Sequence, residues 1–261
     1  MESSELQKQV AISTHSRQSG QFASRYQVMA DDVYSKCFTY SRHRLHQWLD
    51  QYLPANGEGL KVLDVGCGTG YLMQLLRERG YEVVGVDGSA EMLEKARITN
   101  PDAELRQADV EKLPFENASF DFAICIEVLR YLPANDSCWR EMARVLKPGG
   151  VCLTTALPVF NMNGYFPVNR LAAKFKLNGL TPLKQFFTSE NRLRQECAQA
   201  GFMNTEVHGV YSGPFIWVER IIPSVIPSLL KAWEPIDTAL ADRPVLRELS
   251  NMFLVRAVKE Q

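Results

Sequence analysis

The sequence predicts an α/β fold in which a mostly parallel sheet carries helices on both of its faces. Between residues 60 and 157, apolar strand-like runs alternate with amphipathic helical runs, which is the pattern of successive strand–helix–strand units. The runs FAICI and VCLTTAL are almost continuously apolar, as expected for strands that are buried on both sides. A chain of 261 residues is long enough for one large domain of this kind.

Each element of this core is predicted from a local pattern. The strands are, in order, LKVLDVG, YEVVGVD, AELRQADV, FDFAICI and VCLTTAL. The helices between them are YLMQLLRERG, SAEMLEKARI and DSCWREMARVL, the first ending at Gly80 and the last at the sequence KPGG.

The flanking segments are less regular. Residues 1 to 20 are expected to be frayed, a helical period begins at Phe22, and a second amphipathic run ends at Tyr52. After Leu157 the alternation stops, and residues 158–187 are expected to form loop and short helix. The remaining predictions are a helix capped by Ser189, a strand in FMNTEVHGV, proline-punctuated helical pieces over 211–249 and a final strand in NMFLVRAVK.

Composition excludes several classes of protein. The formal net charge of −1 provides no basic field, so we expect no nucleic-acid partner. The six cysteines are scattered, with no CxxC pair and no metal-ligand spacing, which is typical of a reducing compartment. The polar N-terminus lacks the apolar core of a signal peptide, and no apolar stretch approaches the ~20 residues that span a bilayer. We therefore expect a cytoplasmic protein, and a peripheral membrane contact stays open.

A glycine-rich turn after the first strand predicts a cofactor site. The spacing is Gly66-x-Gly68-x-Gly70, which differs from the G-x-G-x-x-G that places a pyrophosphate at a helix N-terminus. Asp64 lies two residues before the first glycine, and its carboxylate would disfavour a pyrophosphate and favour an ammonium group. S-adenosylmethionine carries such a group on its amino-acid end.

Two more acids end the next two strands. Asp87 lies 21 residues after Gly66, where an acid accepts hydrogen bonds from ribose hydroxyls in both NAD-binding and S-adenosylmethionine-binding proteins. Asp109, in QADVEKLPF, is placed to accept from an adenine amino group. Because open α/β sheets bind ligands at the carboxyl ends of their strands, three acids there predict one site.

With these segments in place, the sequence resembles a known family. VLDVGCGTG, VVGVDGSAEML, QADVEKLPF, SFDFAICIEVLRYL and RVLKPGG are similar to the successive motifs of the class I S-adenosylmethionine-dependent methyltransferases, most of all the branch containing the quinone-biosynthesis methyltransferases. The resemblance covers residues 60–157. It implies a Rossmann-like, mostly parallel seven-stranded sheet that ends in an antiparallel hairpin, here residues 203–210 and 251–258.

The resemblance also implies roles for particular residues. The methionine part of the cofactor would lie against Asp64, Gly66 and Gly68, with Ile126 beside it. Asp87 would hold the ribose. The adenine would contact Met92, Asp109 and the backbone of Val110, although Met92 could equally belong to the helix core. An N-terminal tyrosine closes over the cofactor in relatives, and Tyr26 loosely matches it.

One motif departs from the family. After the fourth strand, some relatives have a Glu-x-x-Glu-His pattern that can bind a divalent ion. Here Glu127 is followed by Arg130 and Tyr131, and arginine cannot ligate a metal. We therefore predict no metal site, and Glu127 and Arg130 could simply form a structural salt bridge.

The acceptor is expected to bind beside three segments. Residues 1–55 would form an N-terminal helical cap on a cofactor-binding domain of residues 56–261, which has acceptor-side insertions at 158–187 and 211–249. The first insertion has no acidic residue, four basic ones and six aromatic ones. It could clamp an amphiphilic acceptor, lie on a membrane surface or form a packed lid helix.

The leading hypothesis is a methyltransferase that uses S-adenosylmethionine to methylate, by in-line displacement, an apolar or amphiphilic small molecule such as a lipid or quinone. The alternatives are a polar metabolite as acceptor, and a protein that binds the cofactor without methyl transfer. An NAD-dependent oxidoreductase is disfavoured by the glycine spacing and Asp64. No catalytic residue is selected: the candidate bases are His15, Tyr26, Tyr131, Tyr165 and His208. The oligomeric state stays open.

Overall fold

The computed structural model describes residues 2–27, 32–164, 167, 171 and 184–261. The helices are α1 (Glu2–Gln27), α2 (Cys37–Tyr52), α3 (Tyr71–Glu78), α4 (Ala90–Thr99), α5 (Asp136–Val145), α6 (Glu190–Gln199), α7 (Phe215–Ile221) and α8 (Ile226–Leu240). The strands are β1 (Lys61–Val65), β2 (Glu82–Asp87), β3 (Glu104–Gln107), β4 (Phe120–Cys125), β5 (Leu146–Ala156), β6 (Phe202–Tyr211) and β7 (Met252–Lys259).

The seven strands form one sheet in the order β3-β2-β1-β4-β5-β7-β6. The first five pair in parallel, whereas β7 runs antiparallel to both β5 and β6. The predicted fold class and the C-terminal hairpin are thereby confirmed. The strand order reverses between β1 and β4, which brings the carboxyl ends of these strands and of β2 to one edge and opens a crevice there.

Both faces of the sheet are buried, as the continuous apolar runs indicate. One face packs around Trp139 and Met142 of α5, and the other packs against Leu45 of α2 and Met73 of α3. Ser189 caps α6 as predicted, since its hydroxyl accepts from the backbone N–H of Arg192. Within the described part of the chain, no helix is long and apolar enough to cross a membrane.

The N-terminus differs from the prediction. Residues 1 to 20 were expected to be frayed, but α1 begins at Glu2. Several contacts with the rest of the chain hold this helix in place. Nζ of Lys8 lies 2.5 Å from Asp109 and 2.7 Å from Glu111, and the hydroxyl of Ser16 lies 2.8 Å from that of Ser89. The helix is mostly polar, so its placement depends on distant partners such as these.

Gly209 marks the closest packing between β6 and the segment after α8. A Cβ at this position would overlap the carbonyl oxygen of Ala241, which is backbone and cannot rotate away. We expect Gly209→Ala to lower the free energy of unfolding by about 3 kcal/mol, at the upper end for overpacked sites. Guanidinium denaturation measures this, with Gly20→Ala as the control.

Gly20 lies in α1, where a Cβ would meet nothing within 4 Å. Alanine there should be neutral or should stabilise the helix by up to about 1 kcal/mol, because glycine is a poor helix former. Equal effects of the two substitutions would contradict the packing described for β6.

Candidate functional site

A cavity of about 880 Å³ opens at the carboxyl ends of β1, β2 and β4. The glycine-rich turn and the strand-end acids form its floor, and side chains from α1, α2 and α7 form its walls. The structure thus brings together the acids and glycines that the sequence pointed to.

The turn after β1 has the backbone geometry that only glycine adopts without strain. Gly66, Gly68 and Gly70 have φ angles of +77°, +54° and +79°. A Cβ at Gly68 would meet nothing within 4 Å, so the turn presents open space to the cavity. The turn is held from behind by α4 and its C-cap, because Asn100 donates to the carbonyl of Gly70 and Thr99 donates to that of Thr69. A ligand can therefore lie directly against a fixed backbone.

Asp64 is a buried acid that faces this cavity. Its side chain is on β1, only 3% of the residue is exposed, and in the described ranges no cation lies within ion-pair distance of the carboxylate. Burial, helped by the nearby charge of Asp87, raises its pKa to about 7. A cation supplied by a ligand would stabilise the ionised carboxylate in this position. The ammonium group of an amino-acid ligand has the chemistry to supply that cation, so the donor set fits S-adenosylmethionine.

Asp87 ends β2 and organises the turn as well as the cavity. Its Oδ2 accepts from the backbone N–H of Gly68 at 2.9 Å, and its Oδ1 accepts from that of Ser89 at 2.8 Å. Burial raises the pKa of Asp87, and these hydrogen bonds oppose the rise. Each carboxylate oxygen has further lone pairs, so the group can still accept from two ribose hydroxyls.

The other described residues that were predicted for the cofactor line the same cavity. Met92 and Val110 are buried, and Ile126 lies at the end of β4. Asp109 also reaches the cavity, but Lys8 already pairs with its carboxylate. The side chain of Tyr26 lies outside the described part of the structure, as do all of Tyr165 and most of the insertion 158–187.

Lys8 was not predicted, and nothing in its local sequence singles it out. It closes the cavity on the side of Asp109, and it also contacts Glu5. Burial lowers the pKa of Lys8, but hydrogen bonds to Asp109 and Glu111 outweigh that effect and raise it. The ammonium group stays charged at neutral pH and holds α1 to the loop after β3.

Removing this contact should loosen the first turns of α1. We expect Lys8→Met to weaken their docking by about 1 kcal/mol, because the two acids are partly exposed and screened. Amide hydrogens of residues 5–12 should then exchange several times faster with deuterium. The control is Arg17→Met, which removes an exposed charge from the same helix. Unchanged exchange in Lys8→Met would show that the ion pairs do not hold the helix.

Glu127 follows β4 and pairs with two arginines. Arg130 donates a hydrogen bond to its Oε2, and Nη2 of Arg42 lies 3.6 Å from its Oε1. Burial alone would raise the pKa of Glu127, but the two guanidinium groups lower it. The predicted Glu127–Arg130 salt bridge is present, with Arg42 of α2 as an unpredicted third member. Among the described residues, no group of three or more His, Cys, Asp or Glu side chains could hold a metal.

A group of bulky apolar side chains also lines the cavity. It is formed by side chains of α2, α7 and the ends of β6 and β7: Phe38, Leu45, Leu49, Tyr211, Ile216 and Met252. Polar and charged side chains of the same elements and of the adjoining loops also line the cavity: Lys36, Thr39, Ser41, Arg42, His46, Asn163, Glu219 and Asn251. The cavity therefore has a polar half beside the strand ends and a mixed half under the helices, called the apolar half because its bulkiest side chains are apolar.

Comparisons with known proteins agree with this geometry. A family model described as "Methyltransferase domain" matches residues 63–154. The chain is 34% identical to the demethylmenaquinone methyltransferase of Staphylococcus aureus over 204 residues, which is 70% of this chain and 84% of that protein. It is 38% identical to a ubiquinone biosynthesis O-methyltransferase of Paracidovorax citrulli over 109 residues, or 40% of this chain. This chain spans only 45% of the length of that relative.

The fold also has solved counterparts. The phosphoethanolamine N-methyltransferase 2 of Haemonchus contortus, solved in complex with S-adenosyl-L-methionine, superimposes with a TM-score of 0.58 at 22% identity. The match covers 84% of this chain and 53% of that one. At this identity the likeness concerns the fold alone.

Proposed function

The chain belongs to the S-adenosylmethionine-dependent methyltransferases, and on that premise we propose that it methylates a small apolar or amphiphilic acceptor by in-line displacement. The single observation that carries the proposal is that one cavity is lined both by the buried acids with the glycine turn and by bulky apolar side chains of α2, α7, β6 and β7. A methyl donor and an acceptor would meet where the halves join.

The polar half has a group for each part of the cofactor. Asp64 would bind the ammonium group, with the backbone of Gly66 and Gly68 against the methionine part and Ile126 beside it. Asp87 would accept from the ribose hydroxyls. The adenine would contact Met92, Asp109 and Val110, and the carboxylate of Asp109 would accept from both the adenine amino group and Lys8. When bound there, S-adenosylmethionine supplies a methyl group made electrophilic by its sulfonium.

The protein's own contribution is positioning and exclusion of water. We propose that residues 1–55 act as a cap, since α1 lies across the strand ends and α2 supplies apolar wall. Holding two reactants in line can lower a barrier by ~7–11 kcal/mol, with no covalent step required of the enzyme. The insertions at 158–187 and 211–249 would complete the acceptor side, and α7 already contributes Ile216.

The acceptor would present an apolar body and a polar or anionic head. Leu45, Leu49 and Met252 offer contacts to the body. Arg42 and Arg130, which both pair with Glu127 beside the cavity, would lie near the head. The relatives named for ubiquinone and menaquinone formation support an acceptor of this shape. We propose that residues 158–187 contact a membrane surface and that the acceptor enters the cavity from there.

Product partition tests the proposal. The purified protein is incubated with S-adenosylmethionine labelled on its methyl group and with whole-cell extract, and the label is followed into organic solvent, water and precipitated macromolecule. We expect the label in the organic phase, and none with Asp87→Ala. Label only in water would overturn the apolar acceptor. Cofactor binding without transfer into any fraction would instead favour a binding protein that does not transfer methyl groups.

A further inference from the structure

His15 is placed to take up the proton that an acceptor loses during methyl transfer. We infer that Nε2 of His15 is the general base of the site and that the acceptor arrives with a hydroxyl group. This inference rests on the proposed methyl transfer. It goes beyond that proposal by choosing one residue among the candidates that the sequence left open.

The position of His15 follows from α1. Lys8, Ala11, Ile12 and His15 recur at helical spacing and all face the cavity. The helix is fixed at this point because Ser16 hydrogen-bonds to Ser89 and a Cβ at Gly88 would lie 2.9 Å from Ile12. The imidazole is therefore held in the cavity wall, near Asp87, Glu127 and Arg130.

The tautomer of His15 follows from its hydrogen bond. Nδ1 lies 2.8 Å from the carbonyl oxygen of Ala11, one helical turn earlier. A carbonyl can only accept, so Nδ1 carries the hydrogen and Nε2 of the neutral ring carries the lone pair. In the described part of the chain, no hydrogen bond is made to Nε2. The ring packs edge-on against Tyr131, with 4.7 Å between centroids, and tilted against Phe22.

The surroundings keep this ring neutral. Burial lowers the pKa of His15 from 6.5, and among the charged groups that face it Arg130 lowers it further, while Asp87 and Glu127 raise it. From α4, Glu91 interacts with the neighbouring Ser16. The net direction is downward, so the lone pair on Nε2 is available at neutral pH.

The other three histidines are unsuited to this role. His208 is hydrogen-bonded through Nε2 to Tyr52 and through Nδ1 to Asp242. His43 pairs with Glu234. His46 reaches the cavity and stacks on Tyr71, but burial and Arg42 lower its pKa to about 4, which makes it a weak proton acceptor. His15 alone combines a cavity position with an engaged Nδ1.

The step balances without a further reactant. The hydroxyl oxygen of the acceptor forms a bond to the methyl carbon as the carbon–sulfur bond breaks, and that electron pair stays on sulfur. The hydroxyl proton passes to Nε2 of His15. The products are a methyl ether, a neutral thioether and an imidazolium, which returns its proton to water.

Two measurements test the assignment. The first needs no acceptor: ¹⁵N-histidine NMR of the protein with S-adenosylhomocysteine, assigned with His15→Gln, reports the tautomer and the pKa. We expect the Nδ1–H tautomer and a pKa below 6.5. An Nε2–H tautomer, or a pKa above 6.5, would overturn the assignment.

The second compares transfer rates with the extract fraction that wild-type protein labels. His15→Gln should slow transfer by about 10²–10⁴-fold. The rate of the wild-type protein should fall at low pH, whereas the rate of the variant should not depend on pH in this way. The affinity for S-adenosylhomocysteine should change little. His43→Gln, outside the cavity, should match wild type. If wild type transfers nothing, the proposed function fails. If wild type transfers and His15→Gln keeps pace, only the role of His15 fails.

Discussion

Asp64→Asn is expected to weaken S-adenosylhomocysteine binding by about 100-fold, the loss typical of a buried charged partner. The same substitution should stabilise the ligand-free protein, because the wild-type carboxylate is buried with no cation beside it among the described residues. At pH 8 we expect the Tm to rise by about 4 °C. A residue kept for binding thus costs stability in the empty protein.

The pH dependence of both effects follows from the pKa of Asp64. The folded protein holds this proton up to about pH 7, whereas the unfolded chain releases it near 3.8. Folding therefore takes up a proton between these two pH values. As the pH rises through them, the folded protein becomes less stable, because the buried carboxylate of Asp64 loses its proton less readily than the unfolded chain does. The Tm difference between variant and wild type should vanish near pH 4. Wild-type affinity should fall below pH 7, since the ammonium group needs the ionised carboxylate.

Calorimetric titration and thermal melts across this pH range make the test. The control is Asp50→Asn, which changes a half-exposed carboxylate paired with Arg79 and should leave both binding and its pH dependence alone. If Asp64→Asn binds as well as wild type at pH 8, Asp64 does not hold the ammonium group.

Asp87→Ala is the second substitution with a large expected effect. It removes the carboxylate that would accept from the ribose hydroxyls and that accepts from the backbone N–H groups of Gly68 and Ser89. Hydrogen bonds to charged groups contribute about 1.5–3 kcal/mol each, so affinity should fall at least 100-fold. The glycine turn should also become less stable. Titration with S-adenosylhomocysteine and guanidinium denaturation measure the two effects.

Two further variants separate these roles. Asp87→Asn keeps one oxygen to accept from the turn but loses the charge, so it should fold more stably than the alanine variant while still binding weakly. Asp102→Ala removes an exposed acid of the neighbouring turn and should behave as wild type. Full affinity in Asp87→Ala would mean that the ribose lies elsewhere.

The core of the fold was predictable because its signals are local. Every strand from β1 to β5 except the polar β3 contains an apolar run, the helices between them are amphipathic, and the acids and glycines lie near the ends of strands. Parallel topology then brings Asp64, Asp87 and Asp109 to one edge without any knowledge of packing. That is why the polar half of the cavity could be assembled from the sequence.

The parts that were missed depend on distant partners. The order of α1 depends on Lys8 meeting acids about a hundred residues away, and a polar helical segment alone gives no sign of this. Arg42 joins Glu127 only because α2 crosses the same strand ends. His15 could be selected only once the path of α1 showed which of its side chains face the cavity.

The most direct test of this account is a calorimetric titration of the wild-type protein at pH 8 with S-adenosylhomocysteine and, separately, with NADH. We predict that one S-adenosylhomocysteine binds per chain and that NADH gives no saturable heat, because Asp64 accepts an ammonium group and repels a pyrophosphate. Binding of NADH without S-adenosylhomocysteine would contradict the assignment of the glycine turn and its acids.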